Sequence, residues 1–247
     1  MIRDTIVRQG HWLFRWRSYV LLATVPIAFM TLRRGEPVEF YFGEWPDFIY
    51  EGICVALAFA GLAIRAVTVA YAPRGTSGRN TREQVADTLN TTGMYSLTRN
   101  PLYFGNAVIY MAIALFTQGI YFVIIMALFL VIYLERIIAT EEAFLADKFG
   151  DEYQVWADRV PAFFPRLTGW RQPELSFSIR NVLRREYSGF FAIIAAFVAI
   201  EAFGDILFQG HILYDPVWIA TFIGGGIIYL GLRYMKKHTT FLDVQGR

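Results

Sequence analysis

Apolar residues in this chain come in long runs rather than in alternation. Six runs, 19–32, 49–72, 102–116, 120–134, 187–208 and 217–234, are almost free of charge. A bilayer core about 30 Å thick is crossed by about 20 apolar helical residues, fewer where neighbours or local thinning help. Helices satisfy their own backbone in lipid, and runs this continuous are not the two-residue alternation of a membrane barrel. The pattern predicts an all-α, polytopic transmembrane helical protein with about six spans. The runs 102–116 and 120–134 are separated only by Thr117-Gln118-Gly119. Each would make about 22 Å of helix, so they are predicted to form a short helical hairpin with its tip at those three residues.

Composition agrees, with 55% hydrophobic residues in 247. The net charge of +2 decides little, but its distribution sets an orientation. With the N-terminus in the cytoplasm and six spans threaded, 20 of the 23 Lys and Arg fall on cytoplasmic segments. Arg33 and Arg34 then lie outside and Arg65 within a span. By the positive-inside rule both termini are predicted cytoplasmic. The single cysteine, Cys54, can build neither a disulfide framework nor a thiolate metal site. Neither a metal nor a nucleic-acid partner is expected.

The chain reads as three regions. Residues 1–91 hold an interfacial segment and two spans. In 1–17, arginines alternate with His11, Trp12, Phe14 and Trp16. The favoured reading is a solvated lead-in with its aromatics at headgroup level, the other an anchor helix on anionic lipid. The run that follows lacks a small-x-small cleavage site and is read as a span. Arg65 is a charge inside a span, where function is the default hypothesis. It can snorkel or pair with a carboxylate of the later Glu141-Glu142 cluster. The loop 73–80 is rich in Gly, Ser and Arg, but no Walker or GxGxxG pattern makes it a phosphate site.

Residues 92–166 carry the chemistry. Arg99-Asn100-Pro101 and Glu141-Glu142 bracket the hairpin, so a closed hairpin returns both clusters to one membrane face. Pro101 biases Asn100 away from helix and suits a first helical turn. The amides that follow then favour an anion. Gly105 permits a close backbone approach. Glu135 and Glu142 share a helix face, with Glu141 about 100° round from Glu142. Gly150 should break the helix, and the aromatic stretch 160–165 should be extended, over a planar ligand or on the membrane surface. Residues 167–247 are a basic linker and two further spans.

With these residues placed, the stretch resembles the superfamily of isoprenylcysteine carboxyl methyltransferases and phospholipid methyltransferases. The shared pattern is Gly93-x-Tyr95, Arg99-Asn100-Pro101-x-Tyr103-x-Gly105, the hairpin, Glu141-Glu142, Phe149-Gly150-x-Glu152-Tyr153 and a Val160-Pro161…Pro165 ending. The resemblance implies an integral membrane enzyme that uses S-adenosylmethionine, with a cofactor pocket at the cytoplasmic face. It implies a lipid-like or prenylated acceptor in the lipid bilayer. Tyr95, Arg99, Asn100, Tyr103, Glu141 and Glu142 are the candidate cofactor-binding residues, and Arg99 and Glu141 the candidate catalytic ones. Physical chemistry agrees: carboxylates accept from an ammonium or ribose, an arginine suits a carboxylate, and aromatic faces such as Tyr95, Tyr103 and Trp156 attract a sulfonium. Two features depart from the pattern: Asn100 stands where many members have histidine, and two spans follow the motif. Isoprenylcysteine carboxyl O-methyl transfer is the leading reading, with phospholipid N-methyl transfer as the alternative. An NADPH-dependent sterol-type reductase and a scaffold or transporter using Arg65 and Glu201 are the other classes weighed.

Overall fold

The computed structural model describes residues 2–17, 19–73, 75, 86–212 and 215–246. Among them there are nine α-helices, two short 3₁₀ turns and no strand. Four helices are long and apolar enough to cross a membrane: α4 (Glu44–Ala70), α6 (Ile120–Phe149), α8 (Ile179–Gln209) and α9 (Pro216–His238). Two expected spans take other forms. The run 102–116 becomes α5 (Pro101–Phe116), only 16 residues long. The run 19–32 is not one helix: it is a 3₁₀ turn, Val20–Thr24, followed by the eight-residue α2 (Val25–Leu32). Pro26 in the first turn of α2 has no N–H to extend a helical ladder backward, which fixes the break.

The hairpin forms as its sequence predicts. Pro101 opens α5 behind a non-helical Asn100, and Thr117-Gln118-Gly119 turns the chain into α6. Gly150, at φ +53, ends α6 and starts α7 (Asp151–Ala157). A left-handed backbone there is open to glycine at no steric cost. The turn is pinned from the side: Gln118 Nε2 donates to Asp47 Oδ1 (2.7 Å), and its Oε1 accepts from Val38 N (2.8 Å). Val38 lies on the short α3 (Pro37–Phe42), whose Phe40, Tyr41 and Phe42 stand exposed with Trp45, an aromatic belt at this far end.

The N-terminal segment departs from the solvated lead-in. It is α1 (Ile2–Trp16), and it lies along the polar half of α6. Phe14 is buried among Tyr133, Leu134, Ile137 and Ile138. Thr140 Oγ1 donates to Val7 O (3.0 Å), and Arg136 Nε to Gln9 Oε1 (2.8 Å). Any Cβ at Gly10 would strike the Thr140 hydroxyl and the Arg136 carbonyl, so glycine sets the closeness of the crossing.

The bundle core is α4 against α5 and α8. Cys54, Ala58, Leu62, Ile109, Ala112, Phe116, Ile193 and Phe197 form one buried cluster. The start of α8 is tied to the end of α4: Ser178 N donates to Ala70 O (3.2 Å), and Asn181 Nδ2 to Val69 O (2.6 Å). The start of α5, the polar end of α6, the end of α4 and the start of α8 therefore share one end of the bundle, the motif end. Helix α9 packs on α8 through stacked Tyr187, Phe191 and Tyr229 and is otherwise largely exposed.

Candidate functional site

At the motif end, two stretches run side by side. Arg99 N donates to Pro161 O (2.9 Å), and Thr98 Oγ1 to Phe163 O (2.9 Å). Arg166 N donates to Leu97 O (3.1 Å), while its guanidinium donates to Ser96 O (2.9 and 3.2 Å). The aromatic segment 160–165 is non-helical, as expected, but it bends through Ala162–Phe164 instead of running extended, and its carbonyls strap the Arg-Asn-Pro turn. Phe163 and Phe164 pack edge-on against Phe104 of α5, leaving Phe164 and Leu167 exposed beside the polar groups.

Inside the strap the two clusters meet. Arg99 Nε lies 3.0 Å from Glu142 Oε1, and Arg99 Nη1 donates to Ala157 O (3.1 Å). Asn100 Nδ2 donates to Glu142 Oε1 (3.2 Å) and to Ala162 O (2.9 Å). Tyr103, on the first turn of α5, donates its hydroxyl to Glu141 Oε1 (2.8 Å). The offset between the adjacent acids on α6 gives each its own partners, Tyr103 on α5 for Glu141 and Arg99 and Asn100 just before α5 for Glu142. Glu141 is accordingly a bonded member of the site. The Arg99 Nε–H is buried and off-line for a hydrogen bond to Glu142, so the pair is held by charge.

Tyr95 lies on the 3₁₀ turn Gly93–Ser96, and its carbonyl accepts from Trp156 Nε1 (3.2 Å). Burial pushes its phenol well above the ordinary tyrosine value, and the Glu141 charge adds to the shift. Tyr95 is therefore a neutral hydroxyl at physiological pH. The six expected residues, Tyr95, Arg99, Asn100, Tyr103, Glu141 and Glu142, gather at the motif end. The sequence reading missed the supports: Thr98, Arg166 and the Ala162 carbonyl. The signal was present in part, since the two prolines of 160–165 leave carbonyls without the amides that would pair them in a helix.

One expectation is overturned. Arg65 pairs with Glu186 on α8, not with the Glu141-Glu142 cluster. The Gly-, Ser- and Arg-rich loop 73–80 lies mostly outside the described residues. A cavity of about 350 Å³, lined in part by Ile27, Met30, Thr31, Arg34, Gln118 and Tyr121, is at the far end and holds none of the six residues.

The fold and this cluster define a multi-pass helical membrane protein with a compact set of paired charges at one end. Residues 53–152 match the phospholipid methyltransferase family, which lies in the superfamily of integral membrane methyltransferases that the motif resembles. The chain is 28% identical over 178 residues to the cobalt-zinc-cadmium resistance protein CzcN of Cupriavidus metallidurans, covering 72% of this chain and 79% of that one. It is 31% identical over 128 residues to the nickel-cobalt-cadmium resistance protein NccN of Alcaligenes xylosoxydans xylosoxydans, covering 52% of this chain and 57% of the relative. No solved structure matches.

Proposed function

We propose that this chain is a membrane methyltransferase that uses S-adenosylmethionine to methylate a lipid-like or prenylated acceptor, in the manner of an isoprenylcysteine carboxyl O-methyltransferase. The observation that carries the reading is the cluster of Arg99, Asn100, Tyr103, Glu141 and Glu142, joined across the hairpin and lying within the family match. The donor set suits the cofactor. Arg99, with a buried N–H lacking an aligned acceptor, matches a carboxylate, and Glu142 an ammonium or ribose hydroxyls. Bound there, the cofactor supplies an electrophilic methyl group on sulfonium. The chain's own part is positioning. Tyr103 holds Glu141 in place, and Glu141 is the group within the site able to take a proton from an amine acceptor. A carboxylate acceptor is already a nucleophile and needs no base.

In this reading both termini are cytoplasmic, because 20 of 23 basic residues then lie inside. A cysteine at Gln209 that reacts only from the cytoplasmic side overturns that orientation. The acceptor enters sideways from the inner leaflet, past Phe164 and Leu167, while the polar cofactor arrives from water. Each methylene kept out of water favours the tailed acceptor by about 0.8 kcal/mol. Equal catalytic efficiency on a head group with and without its chain would rule out lipid recognition.

The central test is binding of labelled S-adenosylmethionine, against NADPH, to the purified protein and to Glu142→Gln. Loss of one charge-assisted bond costs about 1.5–3 kcal/mol, roughly tenfold to a hundredfold in affinity. Unchanged affinity in folded Glu142→Gln removes Glu142 from the pocket, and NADPH binding alone replaces the reading with the reductase. The relatives' names add a role in metal resistance. Cobalt or cadmium sensitivity of a strain lacking the chain, rescued by wild type but not by Glu142→Gln, would join methyl transfer to that role.

A further inference from the structure

Beyond the family-matched residues, the motif end of α8 sends a carboxylate into the bundle. Glu186 is 5% exposed and grips Arg65 with both oxygens, Nε to Oε2 at 2.9 Å and Nη2 to Oε1 at 2.8 Å. The third arm of the guanidinium, Nη1, donates to Asn106 Oδ1 at 2.7 Å. Asn106 is on α5, next to Gly105, where a Cβ would sit 2.7 Å from Arg65 Cγ and 2.8 Å from the Gly61 carbonyl. One planar fork thus joins α4, α5 and α8 in a fixed geometry. Asn106 lies three residues past Tyr103, within one turn of the same helix. With side-chain tips about 5–6 Å from a helix axis, a turn of roughly 20° carries a tip about 2 Å. That is enough to take the Tyr103 hydroxyl off Glu141.

We propose that Glu186 is a positioning residue for the methyl-transfer site: through Arg65 and Asn106 it sets the rotation of α5 that delivers Asn100 and Tyr103 to the Glu141-Glu142 pair. The inference rests on the methyltransferase reading for its affinity readout and on helix geometry for the rest. It also gives α8 a task that a bare membrane anchor would not have. A purely stabilising ion pair predicts something different. Breaking a buried pair on one side is costly, but replacing both partners with apolar residues of similar size is often neutral for stability.

The test compares Glu186→Met, Arg65→Met/Glu186→Met and Glu186→Gln in the full-length protein in nanodiscs. Three quantities are read: Tm, Kd for S-adenosylmethionine, and the distance between spin labels at Leu102 on α5 and Glu152 on α7, in a Cys54→Ser background. Glu186→Met should lower Tm and raise Kd about tenfold or more. The double variant should regain Tm while its Kd stays raised and its distance distribution stays shifted. Wild-type Kd or wild-type distances in the double variant overturn the proposal. If the double variant does not fold, Glu186→Gln decides: a raised Kd with shifted distances at near-normal Tm supports positioning, and wild-type values of both overturn it. A wild-type protein that binds no S-adenosylmethionine overturns the methyltransferase reading, and the label distances then judge Glu186 alone.

Discussion

Two of the helix pairs built on glycine, α4 with α5 and α8 with α9, are built differently. Where α4 crosses α5, Gly61 and Gly105 bring backbone against backbone: a Cβ at Gly61 would sit 2.7 Å from the Gly105 carbonyl. The pair is further keyed by the Tyr50 hydroxyl, which donates to Leu115 O at 2.7 Å. Where α8 meets α9, a Cβ at Gly225 would also come to 2.7 Å, but of Ile194 Cδ1, the free end of a flexible side chain. Elsewhere that contact is aromatic stacking and a Lys236 ammonium donating to Arg184 O (3.0 Å). A backbone contact fixes how closely the two helices approach. A contact made by side-chain ends leaves that approach adjustable, because rotamers can yield. The pair that includes α5, one limb of the motif hairpin, is the one built on backbone contact.

Substitutions can test that contrast. Gly61→Leu should have the largest effect, a loss of about 3 kcal/mol as expected for overpacking against groups that cannot move. Its S-adenosylmethionine binding should fall with its thermal stability, and a wild-type unfolding curve would mean that the close crossing is not what fixes the pair. Tyr50→Phe should cost about 1 kcal/mol, the net worth of one hydrogen bond, with the helical signal unchanged. Gly224→Ala reverses the sign. Nothing lies within 4 Å of its Cβ, so the variant should gain about 0.5–1 kcal/mol from helix propensity alone. At Gly225→Ala the same gain meets the displaced Ile194 methyl, and the net change should be close to zero. A cost at Gly225 as large as that at Gly61 would erase the distinction between the two pairs.

What the sequence made legible was what the backbone dictates locally. Pro101 starts a helix, Gly150 ends one, and the polar triplet 117–119 turns a hairpin, because each acts through its own dihedral angles or its missing N–H. The site followed, since a hairpin with known ends must return Arg99 and Glu142 to one place. Pro26 carried the same kind of signal, but the apolar run around it masked the change from 3₁₀ turn to α2. The partners that escaped are those separated along the chain. Hydropathy shows that α1 is amphipathic but not that Gly10 docks it on Thr140. It shows a charge at Arg65 without saying which of several carboxylates answers it. Such pairings are properties of helix packing, and helix periodicity holds no record of which face meets which.

The Arg65–Glu186 pair also has a consequence for the order in which the protein is made. Its two halves are 121 residues apart in the chain. At roughly 5–20 residues per second, α4 is synthesised about 6–24 seconds before the carboxylate that neutralises its arginine. Asn106, only 41 residues downstream, arrives sooner and can hold one arm of the guanidinium in the interval. The nascent chain therefore passes through a stage in which a charged helix waits in or beside the membrane on a single amide. Arg65 meets its carboxylate only once α8 has been made, so a contact of the first third of the chain is completed by the last.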